Sequence, residues 1–178
     1  MRIIGGKYKH KRFDVPHTFK ARPTTDYAKE SLFNILHNVY VDFDQAPTAL
    51  DLFAGTGSIG LEFLSRGCGK VVSVERDSRH FRFLHDVSRT LGDPAWMPVC
   101  ADVFKYIQRV STPFDIVFAD PPYALENLSD IPGLVFENNL LAPDGIFILE
   151  HGRNLSFEDH PRFLEHRNYG SVNFSFFQ

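Results

Sequence analysis

The chain has 178 residues, 43% of them hydrophobic and 14% aromatic, and a net charge of -3. This suits one globular domain with a real core and excludes a disordered chain. No apolar run approaches a membrane span, and Met1-Arg2-Ile3-Ile4-Gly5-Gly6 is not followed by the apolar stretch of a signal peptide, so a soluble, cytoplasmic protein is expected.

The charge is distributed unevenly. Arg2, Lys7, Lys9, Lys11, Arg12, Lys20 and Arg22 face only Asp14 in the amino-terminal segment, while the remainder is acidic. A basic arm on an acidic body suggests a polyanionic partner contacted from one side. Tyr8, Phe13 and Phe19 lie between the basic residues, where rings can stack on bases. The plain alternative is a solvated, mobile terminus. Gly5-Gly6 reads as a turn, with Arg2-Ile3-Ile4 and Lys11-Arg12-Phe13-Asp14-Val15 as short strands of a hairpin. Residues 1–25 are therefore expected to form a basic extension and 26–178 the main domain.

Thr25 or Asp26 caps the first helix. Ala28, Leu32, Ile35, Leu36 and Val39 recur at helical spacing and mark its apolar face. From Thr48 the pattern alternates strand and helix, as expected for a mostly parallel sheet covered on both sides. Strands are expected at Ala49–Phe53, Val71–Glu75, Met97–Cys100, Phe114–Ala119 and Ile146–Glu150. Helices are expected near Ile59–Ser65, Arg79–Thr90, Val103–Arg109 and Leu128–Leu140, and Leu141-Ala142-Pro143-Asp144-Gly145 reads as a turn. Leu164–Tyr169 and Ser171–Phe177, joined near Gly170, read as an antiparallel edge. Cys68 and Cys100 are isolated, which suggests neither a disulfide nor a metal spacing and leaves packing as their expected role. His80 and His85 fall on different helix faces, and His151, His160 and His166 are scattered near the tail, so surface or capping roles and no metal site are expected.

Asp51-Leu52-Phe53-Ala54-Gly55-Thr56-Gly57-Ser58-Ile59-Gly60 runs from the first sheet strand into a helix, and Gly55, Gly57 and Gly60 have the spacing G-x-G-x-x-G. Glycines there let the backbone approach a ligand closely and let the helix pack near the strand. Glu75, twenty residues after Gly55, ends the second strand, where an acid can accept both ribose hydroxyls. A nucleoside cofactor is implied, with Asp51, Phe53, Ala54, Gly55, Gly57 and Glu75 as candidate contacts. The glycines alone do not separate a nicotinamide dinucleotide from S-adenosylmethionine. Asp51 bears on that choice, because a carboxylate disfavours a pyrophosphate and suits an ammonium. Asp102 suits either an adenine amino group or the N-cap of the helix at Val103, and both roles are compatible.

Asp120-Pro121-Pro122-Tyr123 follows the strand Phe114–Ala119, at the carboxyl end where open α/β sheets place their chemistry. A carboxylate, a stiff turn with its carbonyl and an aromatic face suit a flat ring bearing an amino group. The competing reading is an ordinary turn.

In this order, the glycine loop, Glu75, Asp102 and Asp120-Pro121-Pro122-Tyr123 resemble the class I S-adenosylmethionine-dependent methyltransferases of exocyclic amino groups. Arg2-Ile3-Ile4-Gly5-Gly6, Arg22-Pro23-Thr24-Thr25-Asp26 and Glu30-Ser31-Leu32-Phe33-Asn34 narrow the resemblance to the bacterial 16S rRNA guanine-N2 methyltransferase family named RsmD. The resemblance covers nearly the whole chain. It implies a Rossmann-like α/β fold with a seven-stranded, mostly parallel sheet, and S-adenosylmethionine as cofactor. Gly55 and Gly57 would line its methionine portion, Glu75 hold the ribose, Asp102 the adenine and Arg76 the adenine face, with Thr24 or Thr25 closing over the methionine end. Asp120 and the Pro121 carbonyl would accept the amino hydrogens of a flipped guanine, and Tyr123 would stack on it. Lys7, Lys9, Lys11, Arg12 and Arg22 would contact 16S rRNA, within the small ribosomal subunit or an assembly intermediate. A DNA adenine-N6 methyltransferase shares the Asp-Pro-Pro-Tyr motif, and a catalytically silent RNA-binding module is the non-enzyme alternative.

Overall fold

A computed structural model of the chain describes residues 1–19 and 25–178. Seven strands form one sheet: β1 (Thr48–Leu52), β2 (Lys70–Glu75), β3 (Trp96–Cys100), β4 (Phe114–Ala119), β5 (Leu141–His151), β6 (Phe163–Tyr169) and β7 (Val172–Phe177). Their spatial order is β3-β2-β1-β4-β5-β7-β6. The first five are mutually parallel, and β7 runs antiparallel between β5 and β6. The β6–β7 turn lies at Gly170, whose φ of 68° suits a residue without a Cβ.

Helices α1 (Asp26–Ile35), α2 (Ser58–Arg66) and α3 (Ser78–Leu91) cover one face, and α4 (Val103–Ile107) and α5 (Ile131–Glu137) the other. Central strands buried on both faces explain the nearly continuous apolar runs of β1, β2 and β4. The chain turns from β1 to β2 and β3 on one side, then crosses to β4 on the other. The carboxyl ends of β1 and β4 thus flank the switch point of the sheet, where such sheets hold ligands.

Thr25 is the N-cap of α1, its hydroxyl accepting from the Ala28 amide at 3.2 Å. Ala28, Leu32 and Leu36 are buried as expected, but Val39 is 66% exposed. The helix passes into a π-helical turn at Leu36–Tyr40, which changes the angular step per residue and rotates Val39 off the apolar face.

The segment expected to be a turn, Leu141–Gly145, is instead the beginning of β5. Leu141 pairs with Phe114, and the register then shifts before Ile116 meets Ile146. Asp144, at φ 62°, sits in the resulting bulge. The turn-forming residues act as such locally, while the ladder resumes around them.

The amino-terminal residues form a tighter attachment than a free hairpin would. A single antiparallel bridge joins Arg2 to Arg12, flanked by Ile3 N–H to the Lys11 carbonyl and Phe13 N–H to the Met1 carbonyl, each 3.0 Å. Ile3 is buried in the core on the α1–α3 face. The Glu62 carboxylate on α2 accepts from the amides of Ile4 at 2.9 Å and Gly5 at 2.8 Å, and from Arg66 Nε at 2.9 Å. Lys29, only 2% exposed, reaches the same carboxylate at 3.6 Å and donates to the Arg2 carbonyl at 2.7 Å. Burial pushes the Lys29 ammonium below its usual range, opposed by the Glu62 charge. A Cβ on Gly6 would lie 1.8 Å from the Ser65 carbonyl oxygen, so only glycine permits this approach to α2.

Cys68 is buried, as packing requires, but Cys100 is exposed at the end of the edge strand β3. His151 departs from the surface reading: it is 1% exposed, with Nε2 2.7 Å from Ser175 Oγ. Among the described residues no helix is long and apolar enough to cross a membrane, and no group of three or more His, Cys, Asp or Glu could hold a metal ion.

Candidate cofactor and substrate site

The five parallel strands carry a row of carboxyl groups to one end of the sheet. Asp102 follows β3, Glu75 ends β2, Asp51 lies within β1, Asp120 follows β4 and Glu150 lies near the end of β5. Strand register sets them side by side: Glu75 opposes Cys100, Leu52 opposes both Val74 and Ala119, and Ala119 opposes Leu149. Such a row suits a ligand that carries positive charge.

The glycine loop is shaped by backbone torsions that few side chains tolerate. Gly55 and Gly57 have φ of 55° and 77°, and Phe53, without that freedom, sits at 60°. A phenylalanine held there costs about 1–2 kcal/mol. Its ring meets Phe104 on α4 at 6.1 Å, which helps offset that cost. A Cβ on Gly57 would come within 2.2 Å of Leu84 Cδ2, and one on Gly60 within 2.2 Å of Ser73 Oγ, so both glycines serve close packing. At Gly55 the same Cβ would meet only the Phe53 carbonyl oxygen, at 3.9 Å, leaving room beside the backbone for a ligand. Ala54 ties the loop to β2 through its amide and the Val74 carbonyl at 3.0 Å.

Asp51 is 2% exposed and uses Oδ2 to accept the Gly60 amide at 3.0 Å and the Ser73 hydroxyl at 3.3 Å. It thereby caps an amide of α2's first turn, whose N-cap Gly57 has no side chain to do so. Burial raises the Asp51 carboxyl to about 7, against the lowering effect of those two donors. Its proximity to the loop fits an ammonium, but the helix cap is a second duty that spacing did not reveal.

Glu75 accepts the Gly55 amide on Oε2 at 2.7 Å and the Asp77 amide on Oε1 at 2.6 Å. Each oxygen retains a second lone pair, as a ribose clamp requires. The Asp102 carboxylate caps α4, accepting the Lys105 amide at 3.2 Å, and Arg76 reaches its other oxygen at 3.5 Å. The Arg76 side chain is 78% exposed, so this ion pair holds it only weakly. A hollow of about 600 Å³ along β3 and α4 includes Met97, Val99, Ala101, Asp102 and Tyr106 in its wall. Thr25 spends its hydroxyl on capping α1; Thr24, and with it Arg22, lies outside the described residues.

Asp120 is half-buried, and its amide donates to the Leu52 carbonyl at 3.3 Å, which ties the Asp-Pro-Pro-Tyr turn to the strand that leads into the glycine loop. Burial raises its carboxyl well above the usual range, reinforced by the charges of Glu150 and Asp51. Pro121 is buried, and Tyr123 is 43% exposed with its hydroxyl donating to Glu150 Oε1 at 3.0 Å. Sequence reading passed over Glu150. The signal was present in Phe147-Ile148-Leu149-Glu150, an apolar strand ending in an acid as Val74-Glu75 and Ala119-Asp120 do. Of the proposed RNA contacts, Lys9, Lys11 and Arg12 are exposed, whereas Lys7 Nζ is bound to Asp93 Oδ2 at 2.7 Å.

The glycine loop, Glu75 and the Asp-Pro-Pro-Tyr turn thus meet across the switch point of a seven-stranded sheet with an antiparallel edge, the Rossmann-like architecture of class I methyltransferases. An RNA methyltransferase from Salinibacter ruber, solved with S-adenosyl-L-homocysteine, shares this fold at 14% identity and a TM-score of 0.65, over 88% of this chain and 92% of its own. A hypothetical protein from Thermus thermophilus superposes with a TM-score of 0.87 at 29% identity, over 100% of this chain and 99% of its own. In sequence, the ribosomal RNA small subunit methyltransferase D of Escherichia coli strain K12 is 35% identical over 84% of this chain and 74% of its own. The family model described as conserved hypothetical protein 95 matches residues 1–178, and the chain belongs to that family.

Proposed function

We propose that the protein transfers a methyl group from S-adenosylmethionine to the exocyclic N2 amino group of a guanine in small-subunit ribosomal RNA. The observation that carries this reading is the juxtaposition of Asp120-Pro121-Pro122-Tyr123 with the glycine loop across adjacent strands β4 and β1. The family and the name of the Escherichia coli relative support the same class of substrate.

S-adenosylmethionine, when bound, supplies an electrophilic methyl on a sulfonium. Gly55 gives the backbone clearance for it, Glu75 the ribose acceptors, Asp102 an acceptor for the adenine amino group and Asp51 a carboxylate near its ammonium. The guanine N2 lone pair is delocalised into the ring, so alignment matters more than a strong base. Asp120 and the Pro121 carbonyl accept the amino hydrogens and turn the nitrogen towards the methyl group. A cation beside Asp120 draws its raised carboxyl back towards the ionised form that accepts. Asp120 would take up the amino proton that the nitrogen sheds on methylation. Tyr123 stacks on the flipped base, worth about 1–3 kcal/mol against an extrusion cost of a few kcal/mol. The basic amino-terminal extension, through Lys9, Lys11 and Arg12, holds the RNA backbone in the small subunit or its precursor.

Mass-spectrometric mapping of labelled methyl groups on small-subunit rRNA, with duplex DNA in parallel, tests the reading. Label is expected on guanine N2 of the RNA. Asp120→Ala should bind cofactor normally by calorimetry and lose turnover by at least about a hundredfold. Label on DNA adenine, or near-normal turnover by D120A, would sink the proposal.

A further inference from the structure

Glu150 is the acid at this end of the sheet to which the proposed reaction gives no task. It is 5% exposed and lies one strand over from Asp120. Its Oε1 accepts the Tyr123 hydroxyl at 3.0 Å, while Oε2 is buried with no hydrogen-bond partner among the described residues. A buried carboxyl oxygen without a donor is costly, and a methionine or leucine would fill the same space without that cost. Burial raises Glu150 to about 7 against the Tyr123 hydrogen bond, and the Glu150 charge in turn helps raise Asp120. Such a group is out of place as packing and in place as an acceptor awaiting a ligand's N–H.

The edge of guanine offers that donor. Its N2 amino group is flanked by N1, which carries a proton, whereas the ring nitrogen N1 beside the amino group of adenine carries a lone pair that a carboxylate repels. If Asp120 and the Pro121 carbonyl take the amino hydrogens, the N1–H on the same edge needs an acceptor of its own. We propose that Glu150 Oε2 accepts the N1–H of the target guanine and so selects guanine over bases whose corresponding nitrogen is unprotonated. This rests on the guanine-N2 reading. Tyr123 holds the other oxygen and thereby fixes the carboxyl, and the N–H donation itself favours the ionised form.

The test uses small-subunit rRNA assembled by ligation, with guanosine or 2-aminopurine riboside at the mapped nucleotide. Both present the same 2-amino group, but only guanosine has a proton on N1. Wild-type kcat/KM is expected to favour guanosine by at least about tenfold. Glu150→Gln, whose amide can either accept from or donate to N1, is expected to shrink that ratio to within about threefold while binding cofactor as the wild type does. Intrinsic reactivity of the two amino groups cancels when the ratios are compared. If E150Q does not fold, Glu150→Asp keeps the charge but withdraws the oxygen, and its ratio should fall as well. Methylation at guanine N2 with a ratio unchanged by either folded variant overturns this inference alone. Label elsewhere than guanine N2 overturns the underlying reading and this inference with it.

Discussion

Asp51 combines two roles in one buried carboxyl: it caps the first turn of α2 and lies beside the loop proposed to hold the cofactor. Its folded-state pKa of about 7 lies above the ordinary value of about 3.9 for an unfolded aspartate. Between these values the folded chain keeps a proton that the unfolded chain has lost. The resulting stability, on the order of 4 kcal/mol, is complete below about pH 4 and is lost as pH rises through about 7. Glu150, also raised to about 7, acts in the same direction. The thermal midpoint is therefore expected to be lower at pH 8 than at pH 5.5, and Asp51→Asn should flatten the difference. Equal pH slopes for the variant and the wild type would refute this role. Spacing located Asp51 at the site, but only tertiary packing buries it, and burial raises its proton affinity against the opposing hydrogen bonds from Gly60 and Ser73.

At the scale of elements, the amino-terminal segment is joined to α1 and α2 by a buried charge cluster. Glu62 receives two backbone amides and Arg66, with Lys29 at 3.6 Å. The apolar periodicity of α1 was legible, yet Lys29 reads as a surface residue in any sequence pattern. It is buried because the Glu62 carboxylate and the Arg2 carbonyl lie opposite it, on segments distant in sequence. Removing Glu62 leaves the buried Lys29 ammonium without its counter-charge and the Ile4 and Gly5 amides without their acceptor. Glu62→Ala is expected to cost about 3–5 kcal/mol in urea unfolding. It should also speed tryptic cleavage near Lys9 and Lys11, and wild-type stability with unaltered cleavage would count against the cluster as the attachment. The bulge in β5 belongs to this scale too: Pro143, Asp144 and Gly145 carry turn chemistry, and only pairing with β4 reveals a strand on both sides of them.

For the whole molecule, the uneven charge suggests how RNA is approached. Lys9, Lys11 and Arg12 are exposed on a segment that Glu62 and Ser65 hold against α2, so their charges are presented on a fixed surface. Each replaced by alanine should weaken RNA binding and reduce the salt slope by roughly 0.7–0.9 per lost phosphate contact. Lys7, already paired with Asp93, should change it less. Unchanged slopes for Lys9, Lys11 and Arg12 would assign the segment a structural role alone.

The sequence by itself determined the alternation of strand and helix, the seven strands, the glycine loop, the acid at the end of β2 and the Asp-Pro-Pro-Tyr turn, because these depend on local periodicity and on residues close in the chain. Its resemblance to a methyltransferase family is upheld by a family match over the full length. Tertiary structure alone decided the row of five carboxyls, the capping of α2 by Asp51, the buried Lys29–Glu62 pair and the position of Glu150 beside Asp120. Those follow from strand order and register, which bring residues together across long stretches of chain and set their burial. Burial and neighbouring charge, rather than residue type, are what distinguish an acid at the site from an acid at the surface.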